Sequence, residues 1–257
     1  MAELRRLLIE PCRIEAARAK AGLVLTASEA RYLKRVLRLR PGAEVALIDG
    51  CGGLFKASLG DEADMLLSPD RFHTSSSTLS SQPKPSLGLA VALVRRGMDD
   101  VMRMACELGV DRFQLLQAQR SVPQAEHRPD RWGVILKEAV EQCERLWAPE
   151  LLPLLSTEAW WNQLLAEDLG LIAVTRDQGC KDLVTLLSET RQRECPRRIW
   201  IAIGPEGGWT DEELRSAGLA GWCRVGLNNT ILRSSTAAVA AATLLCSWRE
   251  SQLTCRL

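Results

Sequence analysis

The sequence predicts an α/β fold, a parallel sheet flanked by helices, joined to a smaller and mostly β N-terminal domain. Three observations carry this expectation. From residue 87 onward, short apolar runs alternate with segments of helical period, the signature of successive βα units. Before residue 75 the segments are shorter and are separated by turn residues. Between the two lies SSSTLSSQPKPS, residues 75–86, rich in Ser and Pro and without any period. The expected division is therefore 1–74, a small β domain; 75–86, a linker; and 87–257, the α/β domain.

In the first domain Gly22 to Leu25 reads as a strand. Thr26 and Glu29 have capping-box spacing and open a helix to about Leu39. Pro41-Gly42 is a turn. Ala43 to Ile48 and Leu54 to Leu59 read as paired strands, reversed through Asp49-Gly50 and Gly52-Gly53. In the second domain Leu87 to Val94 is a continuous apolar run, as a strand buried on both faces requires. Met98, Met102, Ala105 and Cys106 follow helical spacing, and Gly109 supplies the stop. Phe113 to Leu116 is the next strand. Trp132 through Leu146 carries one long apolar stripe at helical spacing. Helix 158–168, strand 171–175, helix 181–191, strand 199–203, helix 211–218, strand 222–227 and helix 235–248 complete the alternation.

Composition narrows the function classes. With 257 residues, 46% hydrophobic and 25% charged, the chain has enough apolar material for a core, which excludes disordered and collagen-like architectures. The net charge of +1 announces no partner by itself. The nine cysteines show no C-x-x-C spacing and read as reduced thiols, several packed as small apolar residues, in a cytoplasmic protein. Two histidines make a His-built zinc site unexpected, and no metal is predicted. Met1 to Ile9 lacks the apolar run of a signal peptide, and Ala237 to Leu245 is too short to cross a bilayer, so no membrane partner is expected.

Two segments carry candidate chemistry. In Ile199 to Trp209 an apolar strand runs into Gly204-Pro205-Glu206-Gly207-Gly208, and Thr210 with Glu213 then caps a helix. Loops at the carboxyl ends of parallel strands are where α/β proteins bind ligands, and glycines let backbone approach them closely. The segment is neither a Walker loop nor a G-x-G-x-x-G fingerprint. Glu206 would repel a phosphate and would tolerate an amine, a hydroxyl or a sulfonium. Spacing alone leaves a second reading open, a tight strand-to-helix turn whose acids complement the helix dipole. In Val225 to Ala237 a strand end meets an Asn-rich turn, then Ile231-Leu232, then Arg233 before a Ser-capped, Ala-rich helix.

Together these segments resemble the cofactor motifs of the SPOUT methyltransferases, and in particular the RsmE family, which methylates N3 of a uridine in 16S ribosomal RNA. Glu107-Leu108-Gly109-Val110, Arg120-Ser121-Val122, Arg131-Trp132 with Glu138-Ala139, Glu141-Gln142, Arg145 and Pro149, and Val36-Leu37-Arg38 with Gly42, Asp49-Gly50 and Gly53 fit the same pattern in order. The resemblance implies a PUA-like β-barrel in front of a SPOUT-type parallel sheet with a C-terminal trefoil knot. It implies S-adenosylmethionine held around Gly204, Pro205, Glu206, Gly207, Gly208, Leu227, Ile231 and Leu232, a homodimer, and 16S rRNA or the small ribosomal subunit as partner. The chain departs from the family at Ser235, where a Glu is usual, at Met104, and at Arg95, both lysine positions.

With an electrophile supplied by the cofactor, the protein's task is to align a uridine nitrogen and stabilise the charge left when N3 loses its proton. Arg233 is the expected catalytic residue. Arg31, Lys34, Arg35, Arg38 and Arg40 crowd one acid-free stretch, and 31, 34, 35 and 38 would share one helix face. They are the expected RNA contacts, with Arg120 and Arg145 as further candidates. The alternatives are a catalytically weakened RNA-binding or ribosome-assembly protein on this fold, a methyltransferase for another RNA position, and an unrelated small-molecule α/β enzyme.

Overall fold

The structure is a computed structural model. It describes residues 4–18, 20, 22–60, 65–67, 72, 80–122, 127–177, 179–190 and 195–254. By compactness the chain forms two units, Met1–Gln82 with Val140–Ala148, and Pro83–Ala139 with Pro149–Leu257. The sequence places 87–257 in one domain, whereas Val140–Ala148 group with the N-terminal unit. Of the expected linker 75–86, residues 75–79 lie outside the described residues, 80–85 carry no regular element, and Ser86 opens a strand.

In the N-terminal unit β1 (Arg6–Leu8), α1 (Pro11–Arg18), β2 (Gly22–Val24), α2 (Ala27–Arg31), β3 (Glu44–Ile48), β4 (Leu54–Leu59) and β5 (Met65–Leu67) follow in order. The strands form one sheet in the order β1-β3-β4-β5-β2. Alternation along β4 turns Phe55, Ala57 and Leu59 into a core shared with Leu7, Ile14, Leu33, Leu47 and Leu66. The reversal between β3 and β4 is fixed by Asp49, whose Oδ1 accepts the amides of Cys51 (2.7 Å) and Gly53 (2.8 Å). Residues 140–148 belong here because the amide of Leu8 donates to Glu141 (2.9 Å), Arg6 pairs with Glu144 (2.6 Å) and the amide of Gly52 donates to Leu146 (2.9 Å).

Thr26 and Glu29 form the expected capping box at α2. The helix does not continue regularly to Leu39. After Arg31 it widens into a π-turn over Tyr32–Val36, closed by Leu37 N–H to Tyr32 O (2.9 Å), and Arg38 then turns left-handed at φ 54°. Positions 31, 34, 35 and 38 therefore do not follow one regular helical face.

The C-terminal unit contains β6 (Ser86–Ala92), α3 (Met98–Leu108), β7 (Arg112–Gln117), α4 (Pro129–Gln142, its last residues in the other unit), β8 (Glu150–Ser156), α5 (Thr157–Trp161), β9 (Asp168–Val174), β10 (Lys181–Asp182), α6 (Leu183–Thr190), β11 (Arg198–Ile203), α7 (Asp211–Leu219), β12 (Cys223–Gly226) and α8 (Ser234–Thr254). The strands build one wholly parallel sheet in the order β10-β12-β9-β11-β6-β7-β8. Helix α3 ends as expected on Gly109, at φ 116°. The sequence reading has no counterpart for β1, α1, β5 or β8. Helix 158–168 is only α5, and position 181 begins a short strand before α6.

The two sheet faces have different cores. On one, α3 packs with α8, and Arg249 of α8 is buried against Asp111 (2.5 Å), with further donations to Gly109 O (2.7 Å) and Pro85 O (3.3 Å). On the other, Trp160, Trp161, Trp200, Trp209 and Trp222 cluster with Ala90, Ala92 and Ala202. Trp160 meets Trp200 edge-on at 4.8 Å, and Trp161 meets Trp222 at 5.0 Å and Trp209 at 5.6 Å, each worth about 0.5–1.5 kcal/mol beyond its burial. This explains the short α5: two consecutive tryptophans enter the core, and Leu164 packs on the same cluster from the turn that follows. No described helix is long and apolar enough to cross a membrane.

Candidate active site

Strand β9 lies between β12 and β11, so the loops leaving the carboxyl ends of those two strands face each other across Ala173–Thr175. Between them is a cavity of about 500 Å³. Gly204, Pro205, Glu206, Gly207, Gly208, Leu227, Ile231 and Leu232 all line it, as does Arg233. The structure thus brings two sequence segments to one place. It also adds Ala173, Val174, Thr175, Trp209, Asn228, Thr230 and Ala237, which are not among the site residues expected from the sequence. The signal for Val174 and Thr175 was their position at a strand end, which becomes informative only once the strand order is known.

Each wall has a local cause. Thr210 caps α7, its hydroxyl accepting the Glu213 amide (3.1 Å) while Glu213 accepts the Thr210 amide (2.9 Å). Glu213 is buried, and it also accepts the Gln119 amide (2.9 Å) and the Thr157 hydroxyl (3.0 Å). Trp209 donates its indole N–H to Ala173 O (3.0 Å), tying the glycine loop to β9 and the tryptophan core. A Cβ at Gly204 would meet that indole at 3.1 Å, so the close approach leaves little room for a side chain. Glu206 accepts the amide of Arg95 (2.9 Å), which joins the loop to the one after β6.

Arg233 is exposed immediately before α8, and its carbonyl accepts the Ala237 amide (2.8 Å) in the helix's first turn. Ser235 stands against Gly97, where an added Cβ would lie 3.1 Å from the serine's own. Arg120 lines the cavity and donates to Gly207 O and Trp209 O. The remaining expected RNA contacts are in the N-terminal unit: Arg31, Arg35 and Arg38 are exposed, Lys34 is half-buried, and Arg145 donates to Trp147 O (3.1 Å).

A second cavity, about 590 Å³, is lined by Cys180, Lys181, Glu189, Cys223 and Arg224. Its charges are paired, Lys181 with Glu189 (2.6 Å) and Arg224 with Asp177 (3.3 Å), and burial together with Asp177 pushes the Cys180 thiol up, away from the nucleophilic thiolate. Among the described residues no cluster of His, Cys, Asp and Glu could hold a metal. Of the described cysteines, only Cys106 and Cys246 are buried as small apolar residues.

The comparisons with known proteins agree with this layout. Residues 25–64 match the RNA methyltransferase PUA domain family, and residues 81–246 match the RNA methyltransferase domain family. The ribosomal RNA small subunit methyltransferase E of Synechocystis sp. is 33% identical over 96% of this chain and 78% of its own length. The enzyme of the same name from Neisseria gonorrhoeae, solved bound to S-adenosyl methionine, superposes with a TM-score of 0.76 at 25% identity, covering 95% of this chain and 98% of that one. A structure from Porphyromonas gingivalis shares the fold, with a TM-score of 0.77 at 22% identity over 99% of this chain and the whole of that one. The chain belongs to the RNA methyltransferase family that includes ribosomal RNA small subunit methyltransferase E, and its parallel sheet with a PUA domain in front is that family's SPOUT-type architecture.

Proposed function

We propose that this protein transfers a methyl group from S-adenosylmethionine to N3 of a uridine in 16S rRNA of the small ribosomal subunit. The observation that carries the reading is the convergence of both loop segments and Arg233 on one cavity at the carboxyl end of the parallel sheet. The cavity suits the cofactor: its glycine loop sits so close to Trp209 and Arg120 that side chains at Gly204 and Gly207 would crowd it, which leaves backbone to meet the ligand. Gly204, Pro205, Glu206, Gly207, Gly208, Leu227, Ile231 and Leu232 would hold it. When bound, the cofactor supplies an electrophilic methyl group on a positive sulfonium.

The chain's own residues do the rest. The two loops form the walls of the cavity, and Glu206 places a carboxylate in one of them, held by the Arg95 amide, which would suit a positively charged cofactor better than a phosphate. Arg233 offers a guanidinium to the developing anion of the uridine base. Ser235 has a hydroxyl, able to donate or accept a hydrogen bond, at the position before which Arg233 is presented. Arg31, Lys34, Arg35, Arg38 and Arg145 hold the RNA backbone, and the protein works as a homodimer in the cytoplasm, with its C-terminal unit knotted as the family resemblance implies.

The test is mass-spectrometric mapping of 16S rRNA from cells lacking the protein. One 3-methyluridine should disappear, return with the wild-type chain and stay absent with Arg233→Ala. An unchanged 16S rRNA, with a methyl group lost from another RNA, would replace the substrate; an unchanged methylation pattern would support the binding-protein alternative.

A further inference from the structure

We infer that Arg120, with Gln119, is a positioning residue that holds the glycine loop in its cofactor-ready form. The inference rests on reading the cavity as the S-adenosylmethionine site, and goes beyond it. A loop with glycines at 204, 207 and 208 has few side chains with which to hold itself, and ordering glycines costs more backbone entropy than any other residue. Glu206, Gly207 and Gly208 are exposed, and Gly208 is left-handed at φ 69°. If such a loop populated its binding form only in part, affinity would fall by that fraction.

The restraint comes from the corner after β7. That corner is itself rigid: the amide of Ala118 donates to the Ser121 hydroxyl (3.1 Å) and the amide of Ser121 returns to Ala118 O (3.1 Å). From it Arg120 donates to Gly207 O (3.3 Å) and Trp209 O (3.2 Å). Gln119 grips the other side of the loop, its backbone amide donating to Glu213 (2.9 Å), its side-chain Oε1 accepting the Thr210 hydroxyl (3.0 Å) and its side-chain Nε2 donating to Glu212 (3.2 Å). Independently, a Cβ on Gly207 would stand 3.0 Å from Arg120 Cβ and 3.3 Å from its carbonyl oxygen. The glycine is needed for that approach, so the corner and the loop are fitted to each other. A guanidinium serving the RNA backbone has no need of two loop carbonyls; one bridging residues 207 and 209 spans the left-handed Gly208 between them.

The test uses the full chain with Arg120→Ala and Arg120→Lys. In the protein without cofactor, amide hydrogen exchange in peptides covering 204–213 should be faster in R120A by about tenfold, the loss of a charge-assisted restraint on the loop. Calorimetry with S-adenosylmethionine should show Kd weakened about tenfold in R120A and partly restored in R120K, which keeps a cationic donor but, on a more flexible stem, holds it less firmly where Nη1 meets both carbonyls. In turnover, KM for the cofactor should rise more than kcat falls, and RNA affinity measured with saturating cofactor should change less than about twofold. Unchanged exchange in R120A would overturn the inference, as would weakened RNA binding with an unchanged cofactor Kd. A wild-type chain that binds no S-adenosylmethionine, yet shows faster loop exchange in R120A, would leave the restraint standing and remove the cofactor reading instead.

Discussion

Replacing Glu213 by Ala should unhinge the candidate site and destabilise the C-terminal unit together. Its carboxylate is 3% exposed and serves three elements: the Thr210 amide at the start of α7, the Gln119 amide after β7 and the Thr157 hydroxyl at the start of α5. Truncation leaves both amides without their acceptor, while the threonine hydroxyl can rotate toward another. A buried donor left unsatisfied costs about 1–3 kcal/mol, so two amides give about 2–6 kcal/mol, with a central expectation near 4. For a unit of this size each kcal/mol lowers the melting temperature by about 2–4 °C, which predicts a fall of about 8–16 °C. Differential scanning calorimetry should show the fall in the transition of the C-terminal unit. Glu213→Gln, which keeps the shape and one acceptor, should lose less than the Ala variant. A melting temperature within about 1 °C of wild type in the Ala variant would refute the reasoning, because it would mean that water or a shifted backbone satisfies both amides at no cost.

Three further outcomes follow from separate features. Asp111→Ala strands Arg249, itself 3% exposed, without its counter-ion, and should cost about 3–5 kcal/mol in denaturant unfolding, whereas the double change to Asp111→Leu with Arg249→Met should recover much of that loss. Burial pushes the Glu29 carboxyl up, but its bonds from Arg13 (2.7 and 2.8 Å) and the Thr26 amide (2.8 Å) outweigh this and hold it below the usual carboxylate range. Its stabilising contribution is then full above the unfolded-state value of 4.5 and is lost as pH falls through the lower folded-state value, so Glu29→Gln should flatten the acid limb of the N-terminal unit's stability curve; an unchanged limb would contradict this. Changing Arg31, Lys34, Arg35 and Arg38 together to Gln should reduce the salt dependence of RNA affinity, lowering the log–log slope by up to about 3, and an identical slope would move the RNA contact elsewhere.

The basic stretch illustrates why part of the site was legible and part was not. That positions 31–40 hold five cations and no acid is visible in the sequence, and so is the capping box that starts their helix. The interruption of that helix by a π-turn, and the left-handed Arg38, come from closure against Leu33 and Tyr32 backbone carbonyls, which no 3.6-residue pattern anticipates. Strand β8 is hidden in the sequence for a related reason. Its residues ELLPLLS include a proline and no clean alternation, and it is a strand because it lies at the sheet edge beside β7, where a missing amide is tolerated.

By itself the sequence determined the alternation of strands and helices, the glycine loop with its capped helix, the second loop ending in Arg233, and the family motifs that tie them together. These are local features, written in period, turn chemistry and the demand of particular backbone shapes for glycine. Only the tertiary structure decided that β9 is inserted between β11 and β12, so that loops more than a dozen residues apart enclose one cavity. Strand order depends on which apolar faces pack best across the whole sheet, a sum over distant contacts that no window along the chain contains. The same holds for Arg120: the sequence shows only a cation after a strand, and it becomes a restraint on the glycine loop because β7 delivers it within hydrogen-bonding distance of Gly207 and Trp209.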